Sequence, residues 1–197
     1  EYGNPFEEDP APEWPDAETI REHYESYGPH SAQDVHHSYL FDEEAPDLER
    51  TPDEIASRED FVQWIDGYDT GIRYMDQYLG QLLDVLREAG VYEDTLIVIS
   101  ADHGENQGEC NVYGDHQTAD DVTGNVPFVV SGPGVEAGVD HEFHYQVDFG
   151  PTIADLAGVD VPAGWDGESF APALTDGAAV GRDALVLSQG AWACQRA

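Results

Sequence analysis

Apolar residues recur from Phe61 through Ile65, Tyr68, Ile72, Met75, Leu79 and Leu82 to Leu86, at alternating steps of four and three. A helix turns once in 3.6 residues, so this spacing predicts one long helix with a single apolar stripe. Thr51-Pro52-Asp53-Glu54 predicts the start, with Thr as cap, Pro at the first position and Glu three residues after the cap. Gly90 predicts the end. Gly67, Gly71 and Gly80 interrupt the stripe, which favours a single helix packed on a sheet over a coiled-coil seam. Residues 95–100 then form a short continuous apolar run, the pattern of a strand buried on both faces.

A polar, Gly-containing loop follows from residue 101 to about 115, and residues 117–124 predict a short helix. Residues 126–130 read as a second strand, closed by the Gly132-Pro133-Gly134 turn. Residues 147–157 read as a helix with Asp148 near its start and Gly158 at its end, and residues 185–188 as a further strand. Residues 1–50 are rich in Pro, Glu, Asp, Tyr and His and lack periodicity, so they predict irregular covering structure with one short helix near 16–27. The alternation of strands and helices argues for an α/β sheet with helices on both faces.

Charge changes this picture more than composition does. Against 42 acidic residues stand 7 basic ones, all Arg, for a net −35, and the carboxylates are spread between the apolar runs rather than gathered in a tail. Concentrated salt screens the self-repulsion of such a surface, so the pattern suits a protein of a halophilic archaeon, with an ordinary acidic protein as the alternative. It argues against a nucleic-acid partner, since phosphates are bound through Lys and Arg. Two cysteines, Cys110 and Cys194, give no disulfide framework. No apolar stretch approaches the ~20 residues of a membrane helix. Both ends of the sequence look cut, and whether the intact protein stays in the cytoplasm or is exported is not legible.

In open α/β sheets ligands gather at the carboxyl ends of strands. The run 95–100 delivers Asp102-His103-Gly104 to that edge, where a carboxylate and an imidazole can turn toward one divalent cation. A polar loop whose Asp caps a helix explains the same residues, and they alone leave both readings open. His23, His30, His36 and His37 lie in the irregular N-terminal part, while His141 and His144 flank an expected strand and read as structural. Asp148 and Asp166 read as helix caps or turn formers, and Cys110 as a plain loop thiol.

The string from Asp94 through Ile97-Val98-Ile99-Ser100 to Asp102-His103-Gly104-Glu105 resembles the sulfatase segment in which a buried strand presents an Asp-Asn or Asp-His metal pair. Tyr68-Asp69, Tyr74-Met75-Asp76 and Gly80 before it are similar to the helix that leads into that strand. After it, Gly108, Gly114-Asp115-His116, Val126-Pro127 and Gly132-Pro133-Gly134 fit in order. Val147-Asp148, Pro151-Thr152, Asp155-Leu156-Ala157-Gly158 and Asp166-Gly167-Glu168-Ser169-Phe170 continue the match. The set covers roughly residues 60–175 and is specific to the family, although no single element is.

The resemblance implies a partial three-layer α/β/α sheet of the alkaline-phosphatase-like kind, with residues 1–50 an irregular segment at the substrate mouth and 51–197 the core segment. It implies that Asp102 and His103 are metal ligands; Glu105, two residues on, reads separately as a support behind them. Calcium is the first expectation, and Mg²⁺, Mn²⁺ or Zn²⁺ remain open. His116 stands eleven residues before Pro127, where sulfatases commonly place a Lys that touches the sulfate or the departing oxygen. A protonated His there can stabilise the anion or give the leaving group a proton; a turn residue satisfied by backbone is the plainer reading.

The family's Cys-x-Pro-x-Arg or Ser-x-Pro-x-Arg signature, source of the formylglycine nucleophile, and its Asp-Asp metal pair are not found in these 197 residues. The resemblance places them before Glu1, so this chain alone is expected to be inactive. The implied activity of the intact protein is sulfate ester hydrolysis on a sulfated small molecule or polysaccharide. The alternatives are a phosphodiesterase, phosphonate monoester hydrolase or phosphotransferase of the same superfamily, and an inactive metal-stabilised binding protein.

Overall fold

The computed structural model describes residues 5–28, 30–35, 52–116, 118–189 and 192–196. They fall into two compact units: Glu1–Val85 with Gly104–Gln117, and Leu86–His103 with Thr118–Ala197. Among the described residues no helix is long and apolar enough to cross a membrane.

In the first unit helix α1 (Ala17–Glu25) begins where Asp16 Oδ1 accepts the Thr19 N–H at 2.8 Å. It lays Ile20 into a core made with Ala32, Val35, Ile55, Phe61, Ile65 and Tyr113. Helix α2 (Arg58–Glu88) is the long helix that the stripe predicts, and Gly90 lies just beyond it at φ +70°, a left-handed position that a glycine adopts without strain. Its start differs from the expected one. Thr51 lies outside the described residues, and Pro52 to Glu54 precede the helix instead of opening it. Ser57 supplies the cap: its Oγ accepts the Asp60 N–H at 3.2 Å and donates to Asp60 Oδ2 at 2.7 Å. Winding residues 52–57 into the helix would turn Ile55, fully buried, out of the core. The stripe is buried only at Phe61 and Ile65; Ile72, Met75 and Leu82 are exposed. Periodicity sets which face is apolar and says nothing of what covers it.

The same unit holds a hairpin of β2 (Asn106–Gln107) and β3 (Tyr113–Asp115), antiparallel with a bulge. Tyr113 is wholly buried, and its hydroxyl lies 2.8 Å from His23 Nδ1. Burial, opposed by the Glu22 charge, lowers the His23 pKa; burial and then the Glu109 charge raise that of Tyr113. Neutral imidazole and neutral phenol therefore pair in the core. Tyr113→Phe leaves the ring nitrogen unserved and is expected to cost about 1–3 kcal/mol of stability, read from the urea midpoint.

In the second unit β1 (Ile97–Ser100) pairs antiparallel with β4 (Phe128–Ser131), Val98 opposite Val130 and Ile99 opposite Val129. The run 95–100 predicts a strand buried on both faces; Ile97, Val98 and Ile99 are half-buried, and β4 is the one neighbour that the described residues pair with β1. Between them α3 (Asp121–Gly124) is capped by Asp120, whose Oδ1 accepts from the Val122 and Thr123 N–H groups, both at 3.0 Å. Gln117, the first residue of the helix expected there, is outside the described residues. A 3-10 turn, Gln146–Asp148, leads into α4 (Phe149–Leu156), and α5 (Ala171–Thr175) packs beside it. Phe128, Phe149 and Phe170 meet with ring centroids 4.2–6.3 Å apart. β5 (Leu185–Gln189) and β6 (Trp192–Arg196) form a further antiparallel pair.

Candidate active site

Asp102 and His103 follow β1 directly. The Asp102 side chain is 89% exposed and that of His103 35%. Asp102 Oδ1 accepts the His103 backbone N–H at 3.1 Å. His103 Nε2 then stands 3.7 Å from Asp102 Oδ2. Two ligands about 2.3–2.6 Å from one cation, roughly at right angles, are about 3.3–3.7 Å apart. A carboxylate oxygen and an imidazole nitrogen at this spacing fit one edge of a divalent cation's coordination sphere. The helix-cap reading of Asp102 does not hold, because the residues after it enter β2 and no helix.

The loop is held from outside its own sequence. Gln146 Nε2 donates to the carbonyls of both Ala101 and Asp102, at 2.7 and 2.9 Å. The turn that carries Gln146 is itself fixed by Asp148, which is 2% exposed. Asp148 Oδ2 accepts the Tyr145 N–H at 2.8 Å and Arg182 Nε at 3.1 Å; Oδ1 accepts the Glu168 N–H at 2.8 Å and Arg182 Nη2 at 2.6 Å. Burial raises the pKa of this carboxyl, but the Arg182 hydrogen bonds and the two backbone donors outweigh it, and the net shift is downward. Arg182 also lies over the Tyr145 ring, 5.1 Å from its centroid. Gly167 passes so near the turn that a Cβ there would overlap the Val147 carbonyl, so only glycine allows the Glu168 N–H to reach Asp148.

His116 belongs to the first unit and directly follows β3. Its Nδ1 is 3.8 Å from Glu105 Oε1 and 4.0 Å from Asp115 Oδ1. Asp115 Oδ1 also accepts the His116 backbone N–H at 2.7 Å, while Oδ2 pairs with His30 Nε2 at 3.2 Å. The His116 side chain is 45% exposed, on a backbone anchored by a buried Asp–His pair.

The remaining histidines sort by burial. His23 and His30 anchor the β2–β3 hairpin, His30 also through its carbonyl, which accepts the Tyr113 N–H at 2.7 Å. His144 pairs with Asp140 at 2.8 Å and stacks on Phe170, a structural role as expected. His36 and His37 lie outside the described residues. Cys110 is exposed. Asp148 is more than the cap or turn former that its sequence position suggests. The sequence reading missed Gln146 and Arg182; the one available signal was the scarcity of cations, which makes each Arg in so acidic a chain a candidate anchor.

Residues 17–159 match the family described as Sulfatase. The chain belongs to the sulfatase family. It is 33% identical over 108 residues to a choline-sulfatase of Rhizobium meliloti, covering 53% of this chain and 21% of that protein. It is 31% identical over 122 residues to a Delta 4,5-hexuronate-2-O-sulfatase of Bacteroides thetaiotaomicron, covering 60% and 25%. Among solved structures, a phosphonate monoester hydrolase from Silicibacter pomeroyi superposes with a TM-score of 0.63 at 28% identity, over 87% of this chain and 33% of that one. The fold is therefore that of the alkaline-phosphatase-like hydrolases, of which this sulfatase-family chain holds a part: it spans about a quarter of the length of the curated relatives it matches.

Proposed function

We propose that the full gene product hydrolyses sulfate esters, that Asp102 and His103 hold part of its divalent cation, and that His116 serves the leaving group. The observation that carries this reading is the Asp102–His103 pair, 3.7 Å apart at the end of β1 in a sulfatase-family chain. A cation bound there supplies positive charge to the oxygens of the scissile group. Asp102 and His103 offer the ligand atoms, and Glu105 and Asp115 orient the His116 ring, which passes a proton to the departing oxygen. The nucleophile, by family resemblance a formylglycine, lies outside this chain. The name of the hexuronate-2-O-sulfatase relative supports a sulfated saccharide as substrate class.

The likeness to the phosphonate monoester hydrolase, over 87% of the chain, favours a second reading, attack on a phosphonate monoester at the same site. One assay separates the two. The full product, expressed with formylglycine maturation and stripped of metal, is given Ca²⁺, Mg²⁺, Mn²⁺ or Zn²⁺ and offered 4-nitrophenyl sulfate or a 4-nitrophenyl phosphonate monoester. Sulfate turnover restored best by Ca²⁺ supports the first reading; a higher kcat/KM on the phosphonate supports the second. Cation binding without turnover of either points to a binding protein.

His116→Ala is expected to lower kcat about 10²–10⁴-fold on an alkyl sulfate, whose leaving group needs a proton. The loss on 4-nitrophenyl sulfate should be much smaller, since nitrophenolate departs without one. Equal losses on both would take His116 out of proton transfer.

A further inference from the structure

Among the described residues, the pairing of β1 with β4 ends at Ser100, opposite Phe128, just before the Asp102–His103 loop. Two consecutive carbonyls, Ala101 and Asp102, then follow on irregular backbone and accept from a side chain in place of a strand partner. One carboxamide serves both, because an –NH₂ group carries two donor hydrogens, and Gln146 Nε2 lies 2.7 and 2.9 Å from the two oxygens. Fixing two successive peptide planes fixes the Cα–Cβ direction of Asp102 between them. The donor cannot wander, since the Asp148 carboxylate, with Tyr145, Glu168 and Arg182 bonded to it, locks the turn beside Gln146.

We propose that Gln146 is a positioning residue for the cation site: its carboxamide, braced by the Asp148–Arg182 pair, holds the Ala101–Asp102 backbone so that the Asp102 and His103 side chains present their ligand atoms together. Gln146 acts through the backbone that carries the ligands, since its carboxamide nitrogen is engaged with the two carbonyls. Its work is to lower the ordering cost that the cation would otherwise bear on binding. Partners behind a metal ligand commonly alter affinity about 10–100-fold, and Gln146 belongs in that range. This inference rests on the cation-site reading above.

The test is calorimetric titration of the metal-stripped full product with Ca²⁺, alongside Gln146→Met and Gln146→Glu. Methionine keeps the length of the side chain and removes the donor. Glutamate keeps the shape, replaces the donor with an oxygen that repels the two carbonyls, and adds a negative charge near the cation. Positioning predicts that both variants bind Ca²⁺ about 10–100-fold more weakly, with metal-free melting temperatures close to wild type. Simple electrostatics predicts tighter binding by the Glu variant. The proposal is overturned if Gln146→Met binds within twofold of wild type, if Gln146→Glu binds more tightly, or if both variants lose the metal-free fold, which would make Gln146 a structural residue. Failure of wild type to bind any divalent cation is a different outcome: it removes the cation-site reading and this inference with it.

Discussion

Asp102→Ala in the full gene product is expected to lower kcat/KM for sulfate ester hydrolysis by about a thousandfold or more, roughly 4 kcal/mol of lost transition-state stabilisation. The side chain is 89% exposed and its loss removes no core contact, so the folded protein should survive the substitution. Its carboxylate accepts one local hydrogen bond, from the His103 N–H, worth about 1 kcal/mol in water. The effect on activity should therefore far exceed the effect on stability, and that separation is the diagnostic. His103→Ala should act in the same direction and, because the two ligands serve one ion, the double variant should be little worse than either single one. The measurement is kcat/KM at saturating Ca²⁺ with a parallel urea titration. Activity within tenfold of wild type in both single variants would place the cation elsewhere.

The second large effect falls on stability. Asp148→Ala removes a carboxylate with a side-chain exposure of 3% and leaves Arg182, 28% exposed, and the Tyr145 and Glu168 N–H groups without it. Two backbone N–H groups and the guanidinium lose their acceptor together, at about 1–3 kcal/mol for each buried donor left unserved, so the loss is expected to reach several kcal/mol. Arg182→Met should cost less: the guanidinium is the more exposed partner, and Asp148 keeps its two backbone donors. If the two variants prove equal, Coulomb attraction dominates; the expected order means that backbone hydrogen bonding carries much of the clamp. The folded Asp148 carboxyl titrates below its unfolded counterpart, near 3.9. Its contribution is accordingly complete above that value and is lost as pH falls through the lower, folded one. Stability measured from pH 6 to pH 2 should decline more steeply for wild type than for Asp148→Ala.

Much of the second prediction was invisible in the chain as written. Val147-Asp148 looks like the start of a helix, and α4 does begin at Phe149, yet the carboxylate spends both oxygens on Tyr145, Glu168 and Arg182. The partner cation is 34 positions away, and no periodicity links the two. The Tyr113–His23 pair spans 90 positions, which is why His23 reads in the sequence only as one of several histidines in an irregular tract.

What the sequence determined by itself is local. The 3.6-residue stripe specifies α2, Gly90 its end, and the run before Ser100 the strand that carries Asp102 and His103. These signals act within a few residues, through backbone geometry and capping bonds, and are complete in the chain. Family membership was legible for a related reason: the strand end, the turns and their order are themselves strings of residues. Tertiary structure alone decided that α2 starts at Arg58, because Ile55 belongs to the core, and that Gln146 holds the carbonyls behind Asp102. Both depend on groups brought together only after the chain has folded: an apolar side chain removed from water in the first case, a carboxamide and two carbonyls 44 and 45 positions from it in the second.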